Sequence, residues 1–200
     1  MVAALFVQRN GCYYGLPGVD PWDEARDARL YAGPWPVVAH PPCARWCRLA
    51  GLVASRGGPL PGDDGGTFAS ALAAVRAWGG VLEHPAFSAA WKAHGLLAPP
   101  LSGGWVAAGD WQGWTCCVEQ GHFGHKSPKA TWLYAVGVDP PLLPWGPSEA
   151  IAYHSDTSHE RRGKVRRKPV ELLSRPERIA TPPAFRDLLV AMARTARRPT

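Results

Sequence analysis

Two hundred residues that are 46% hydrophobic and include ten tryptophans can build one substantial core, which excludes a disordered tail or a fibre. No run approaches the ~18 apolar residues of a membrane span, and Met1 to Arg9 lacks the basic region, long apolar run and cleavage site of a leader, so a soluble, unexported protein is expected. The net charge of +6 is uneven: residues 159–200 hold 12 Lys/Arg against 4 Asp/Glu, and the rest of the chain is slightly acidic.

The chain opens with the apolar run Ala3 to Val7. Arg9-Asn10-Gly11 supplies turn chemistry before Cys12-Tyr13-Tyr14, a pattern that suggests a hairpin. From Asp20 to Tyr31, a proline at the first helical position and acids in the first turn suggest a short helix capped by Asp20. Gly33-Pro34-Trp35-Pro36 ends it and leads to the strand Val37-Val38-Ala39, which stops at His40-Pro41-Pro42-Cys43. After a glycine-rich loop over 57–66, Thr67 reads as the cap of a helix in which Phe68, Ala71, Leu72, Val75 and Trp78 recur at helical spacing. Gly79-Gly80 then leads to a strand over 80–82 that ends in Glu83-His84-Pro85.

Strand, helix, Gly-Gly, strand is an α/β crossover. It makes strands 37–39 and 80–82 parallel neighbours joined by a right-handed connection. Ligands of open α/β sheets bind beyond the carboxyl ends of such strands, where Cys43 and Glu83 fall. Residues 99–121, rich in Gly and Trp, resist assignment. A further strand, Ala130 to Val136, follows the basic loop His122 to Lys129; Pro140 to Pro147 reads as a linker, and Thr181-Pro182-Pro183 starts a closing helix through Phe185, Leu188, Leu189 and Met192.

The expected fold class is thus α/β, one domain with a mainly parallel sheet flanked by helices. Residues 1–158 form its catalytic core, and residues 159–200 form a basic segment and a C-terminal helix that packs back on it. Five cysteines, at 12, 43, 47, 116 and 117, are an odd number with no secreted framework, so free thiols in a reducing cytoplasm are expected, with Cys116 and Cys117 buried in a strand.

In their order and spacing, Pro41-Pro42-Cys43, Glu83-His84-Pro85, Gly124-His125-Lys126 to Lys129-Ala130-Thr131, and the closing helix over 181–189 resemble the DNA cytosine-5 methyltransferase superfamily, particularly small phage-type members. The resemblance covers about residues 35 to 193 and implies a truncated Rossmann-like methyltransferase core. In that family a Pro-Cys motif carries the nucleophile, which matches Cys43; the glutamine that often follows is Ala44 here. The family's Glu-Asn-Val matches Glu83-His84-Pro85, keeping the carboxylate. Its Gln-x-Arg-x-Arg region looks like Lys126 and Lys129, and its last motif, which folds back beside the first strand, is similar to the closing helix.

The chemistry explains these residue types. Carbon 5 of a pyrimidine is a poor nucleophile until a thiolate adds at carbon 6, and a carboxyl group at N3 and the exocyclic amine holds the base while charge develops. Cys43 and Glu83 are therefore the candidate catalytic residues, with Pro42, Arg45, His84, Lys126 and Lys129 as substrate-binding candidates. A base within a duplex would have to be flipped out, or a free pyrimidine nucleotide used. Arg161, Arg162, Lys164, Arg166, Arg167 and Lys168 could track phosphates, with a solvated arm as the even alternative.

The family's donor, S-adenosylmethionine, sits on a glycine-rich turn after the first strand with an acid at the end of the second. That unit is not recognisable ahead of Pro41; Asp20 and Trp22 are the remaining candidates for cofactor contacts, and a helix cap and a core residue their plainer reading. A target-recognition domain is also missing, which implies low sequence selectivity. These features leave a cytosine-5 methyltransferase-like reaction, a donor-independent modification of an already 5-substituted pyrimidine in phage DNA, and a non-catalytic nucleic-acid-binding protein, with the cytoplasm of a bacterial host cell as the expected location. A zinc site of His40, Cys43 and Cys47 is the remaining rival, on a loose Cys-x3-Cys spacing; no metal is expected.

Overall fold

The computed structural model describes residues 1–47, 49–110, 112–153 and 171–198. Nine strands are present among the described residues: β1 (Val2–Leu5), β2 (Val19–Trp22), β3 (Val37–Ala39), β4 (Gly80–Pro85), β5 (Val106–Ala107), β6 (Trp114–Glu119), β7 (Ala130–Val136), β8 (Ala152–Tyr153) and β9 (Glu171–Leu172). The helices are α1 (Ala50–Ser55), α2 (Thr67–Trp78), α3 (Ala89–Ala93), α4 (Arg175–Ile179) and α5 (Pro183–Thr195), with short 3-10 turns at Ala28–Leu30 and Gln120–Phe123. No helix among the described residues is long and apolar enough to cross a membrane.

Seven strands form one mixed sheet in the order β2-β1-β3-β4-β7-β6-β5. The half from β2 to β4 is parallel, and from β4 outward every pairing is antiparallel. The crossover between β3 and β4 pairs Val37 with Gly80 and Ala39 with Leu82. Its helix, α2, covers one face with Phe68, Ala71, Leu72 and Val75 against Leu5, Val37, Ala39 and Leu82. On the other face, Phe185, Leu189, Val190 and Met192 of α5 pack against Val2, Ala4, Val38 and Val81. Alternate strand residues thus feed two cores, as a period-two pattern requires.

The expected opening hairpin does not form. Cys12-Tyr13-Tyr14 lies among turns closed by Tyr14 N to Gly11 O (3.0 Å) and Val19 N to Leu16 O (3.2 Å), and the chain crosses back to start β2 parallel to β1. The expected helix from Asp20 is likewise replaced by β2 and a 3-10 turn capped by Asp27. Pro21, read as a helix-starting residue, is equally tolerated on a sheet edge, where its missing N–H breaks no ladder. Thr67 is not a cap either: Asp64 satisfies the start of α2, accepting from Gly66 N (2.9 Å), Phe68 N (2.9 Å) and the Thr67 hydroxyl (3.0 Å). The closing helix begins at Pro183 as expected, without a side-chain cap from Thr181. The unassigned Gly/Trp region supplies β5 and β6, and Cys116 and Cys117 are buried in β6 as free thiols.

Candidate active site

The site forms on the α5 face, at the carboxyl ends of β3 and β4. His40 continues β3 by donating its backbone N–H to Leu5 O at 3.0 Å. Pro41 and Pro42 offer no N–H, so the ladder ends there and Cys43 follows exposed in a turn, its carbonyl accepting from Trp46 N at 3.0 Å. The loop beyond is anchored by Trp46, whose indole N–H donates to Asp64 (2.8 Å), and by Gly62 N to Arg45 O (2.9 Å). Strand β4 runs on to Pro85, so Glu83 and His84 sit inside it and face opposite ways.

Glu83 is the hub. Its Oε2 lies 2.9 Å from His40 Nδ1, and His40 Nε2 lies 2.7 Å from the Tyr13 hydroxyl. Its Oε1 accepts a longer bond, 3.3 Å, from Gln120 Nε2, which also donates to Thr131 Oγ1 at 3.0 Å. Gln120 is fully buried and its Oε1 has no hydrogen-bond partner among the described residues. Lys129, at φ 45 ahead of β7, donates its ammonium to the carbonyls of Ile179 (3.2 Å) and Ala180 (2.6 Å) at the end of α4. It is close enough to Glu83, Cys43 and Cys12 for their charges to act on it. Arg186 of α5 donates to Cys12 O at 2.9 Å and so holds the turn that carries Tyr13.

These neighbours set the protonation states. Burial works against charge on Glu83, but the His40 hydrogen bond, with the charge of Lys129, outweighs it and holds the carboxyl below its ordinary value. Although Cys43 is exposed at the surface, desolvation of its sulfur by the surrounding loop pushes the thiol up, and the Glu83 and Cys47 charges push it further, against a smaller opposing pull from Lys129. Burial also lowers Lys129, and it carries the Tyr13 hydroxyl well above its usual range. The resting site thus holds a protonated thiol beside an ionised carboxylate.

The charges of Glu83 and Lys129 therefore both reach Cys43, with Pro42 exposed between β3 and that cysteine. His84 turns to the other face, 1% exposed between Phe68 and Trp91, and burial there brings its ring down to about 4. Lys126 forms surface ion pairs with Glu171 (3.1 Å) and Glu177 (2.9 Å). Asp20 and Trp22 lie on β2, separated from β3 by β1. The Trp22 indole donates to Asp20 at 2.8 Å, and Arg26 pairs with Asp20 at 2.6 Å and stacks over the Trp22 ring. Arg161, Arg162, Lys164, Arg166, Arg167 and Lys168 lie outside the described residues, as does Trp111. The flanks of that basic run, β8 and β9, pair in parallel, and Ile151 and Ala152 donate their N–H groups to the carbonyl of Lys126. Both ring nitrogens of His40 are engaged, and no group of three His, Cys, Asp or Glu gathers to hold a metal among the described residues.

Tyr13, Gln120 and Thr131 enter the site without having been singled out as its members. His40 was visible only as a rival zinc ligand. Compared with protein-family models, curated proteins and solved structures, the chain matches none.

Proposed function

We propose that this protein forms a transient covalent adduct between Cys43 and carbon 6 of a pyrimidine in DNA, as the first step of modification at carbon 5. What carries the reading is the convergence of Cys43, Glu83 and Lys129 at the carboxyl ends of two adjacent parallel strands. It also draws on the resemblance to the cytosine-5 methyltransferases, and takes the sheet as a trimmed Rossmann-like core.

In the proposed step the Cys43 proton passes to Glu83 and the sulfur–carbon bond forms at carbon 6. The ring electrons move toward N3, and Glu83 returns the proton there, so protons and electrons balance within the site. Carbon 5 is then an enamine carbon, able to exchange its hydrogen or take an electrophile. Elimination reverses the sequence and frees the thiolate.

The residues offered for S-adenosylmethionine do not fit it as they stand. The connection from β1 to β2 is a series of turns rather than a glycine-rich strand-to-helix turn. The carboxylates at β2 are engaged, Asp20 by Arg26 and Trp22, and Asp23 by the Tyr14 hydroxyl (2.5 Å) and Arg26 N (3.1 Å). No step is routed through that donor.

The test is DNA carrying 5-fluoro-2′-deoxycytidine, incubated with and without S-adenosylmethionine, with covalent protein–DNA product read by mass spectrometry. A product at Cys43 that Cys43→Ala abolishes, while salt-sensitive DNA binding persists, is the expected outcome. Product without donor favours donor-independent chemistry on a 5-substituted pyrimidine. Binding without product in either condition replaces the enzyme with a nucleic-acid-binding protein.

A further inference from the structure

The hydrogen-bond chain behind Glu83 has a fixed polarity. A carboxylate can only accept, so the proton between His40 Nδ1 and Glu83 Oε2, 2.9 Å apart, belongs to the imidazole. In neutral imidazole the other nitrogen is then a bare acceptor, and the Tyr13 hydroxyl, 2.7 Å from Nε2, is the donor that matches it. Tyr13 is 3% exposed and lies in the α5-side core. His40 is fixed through its backbone as well, by the bond from its N–H to Leu5 O at 3.0 Å. The two oxygens of Glu83 differ accordingly. Oε2 is occupied at good length, whereas Oε1 has only the 3.3 Å contact with Gln120, whose amide is better placed on Thr131 at 3.0 Å.

We propose that His40, locked in one tautomer by Tyr13, is the positioning residue of Glu83: it holds Oε2 and leaves Oε1 as the oxygen that meets the pyrimidine. This inference rests on the reading of Cys43 and Glu83 given above. His40 does not touch the base; it fixes the rotamer of the carboxylate and stabilises the charge that returns to Glu83 when N3 is protonated. Tyr13 keeps Nδ1 protonated, since a flipped tautomer would set a lone pair against the carboxylate. The other polar and charged groups facing Glu83 are Gln120 beyond β6, Lys129 before β7 and Cys43 after β3, and none of them bonds Oε2.

The experiment uses the full chain and DNA tritiated at carbon 5 of cytosine. Adduct formation labilises that hydrogen, so tritium release reads the Cys43 step without any donor. His40→Ala should slow release about 100-fold while DNA affinity stays within about twofold. His40→Asn, which keeps a donor near the Nδ1 position, should restore it to within about tenfold of wild type. Tyr13→Phe, which removes one oxygen from a packed ring, should slow release about tenfold and carries the test if His40→Ala fails to fold. Release by folded His40→Ala and Tyr13→Phe at the wild-type rate overturns the inference and leaves the Cys43 reading standing. So does His40→Asn no faster than His40→Ala. Absence of release with wild type, together with absence of the fluorocytosine product, overturns both.

Discussion

Glu83 and His84 are consecutive residues that a strand sends to opposite faces, and their chemistry diverges for that reason. Glu83 meets His40 and stays ionised, so Glu83→Gln should slow covalent product formation about 100-fold while DNA binding in a filter or anisotropy assay is unchanged. His84 packs against the rings of Phe68 and Trp91 and is held neutral, its folded value lowered by burial from 6.5 to about 4. A lowered base refuses in the folded state the proton that the unfolded chain accepts, so its contribution is complete above pH 6.5 and is lost as pH falls toward 4. The loss amounts to about 3 kcal/mol, and urea titrations between pH 7 and 4 should show it. His84→Phe should flatten that acid limb. The two roles could not be separated from Glu83-His84-Pro85 as a string, because which neighbour of a pair faces the crevice depends on register.

At the scale of elements, β3 and β4 approach closely at one glycine. Gly80 has φ +120, and a Cβ there would lie 2.0 Å from Val37 O, inside the pairing that aligns Cys43 with Glu83. Gly80→Ala should cost about 3 kcal/mol or more in thermal or urea unfolding, combining backbone strain with a clash against a strand that cannot yield. Asp64→Ala should cost about 2 kcal/mol, since one carboxylate both caps α2 and holds the Trp46 indole. Because Trp46 anchors the loop after Cys43, the same variant should also slow product formation. The β3–α2–β4 crossover was legible in the sequence because its helical spacing and Gly-Gly stop are local. The β1–β2 pairing was not: Asn10-Gly11 is a real turn signal, but a turn does not say whether the next strand runs back beside the first or starts again in parallel. The site inherits that difference. Cys43 and Glu83 could be named from strand ends, whereas Tyr13 and Gln120 reach them from turns separated from those ends in the chain.

For the molecule as a whole, charge and fold answer different questions. The excess of Lys/Arg lies in residues 159–200, and an electrostatic partner shows itself in salt dependence. Changing Arg161, Arg162, Lys164, Arg166, Arg167 and Lys168 to glutamine should reduce the slope of log affinity for DNA against log salt, by about 0.9 for each duplex phosphate no longer neutralised, without changing the rate of product formation at saturating DNA. An unchanged slope would assign that run to solvent. The sequence by itself determined an α/β chain, the crossover that makes β3 and β4 parallel neighbours and the free thiols of β6, because each depends on periodicity, turn residues and the end of a strand within a short window. Only the tertiary structure decided that β1 and β2 run parallel, that Asp64 caps α2, that His84 belongs to the core and that Tyr13, His40, Glu83 and Gln120 form one hydrogen-bonded chain. Those outcomes follow from sheet order and from which face each side chain meets, and contacts between residues 13, 40, 83 and 120 leave no local pattern to read.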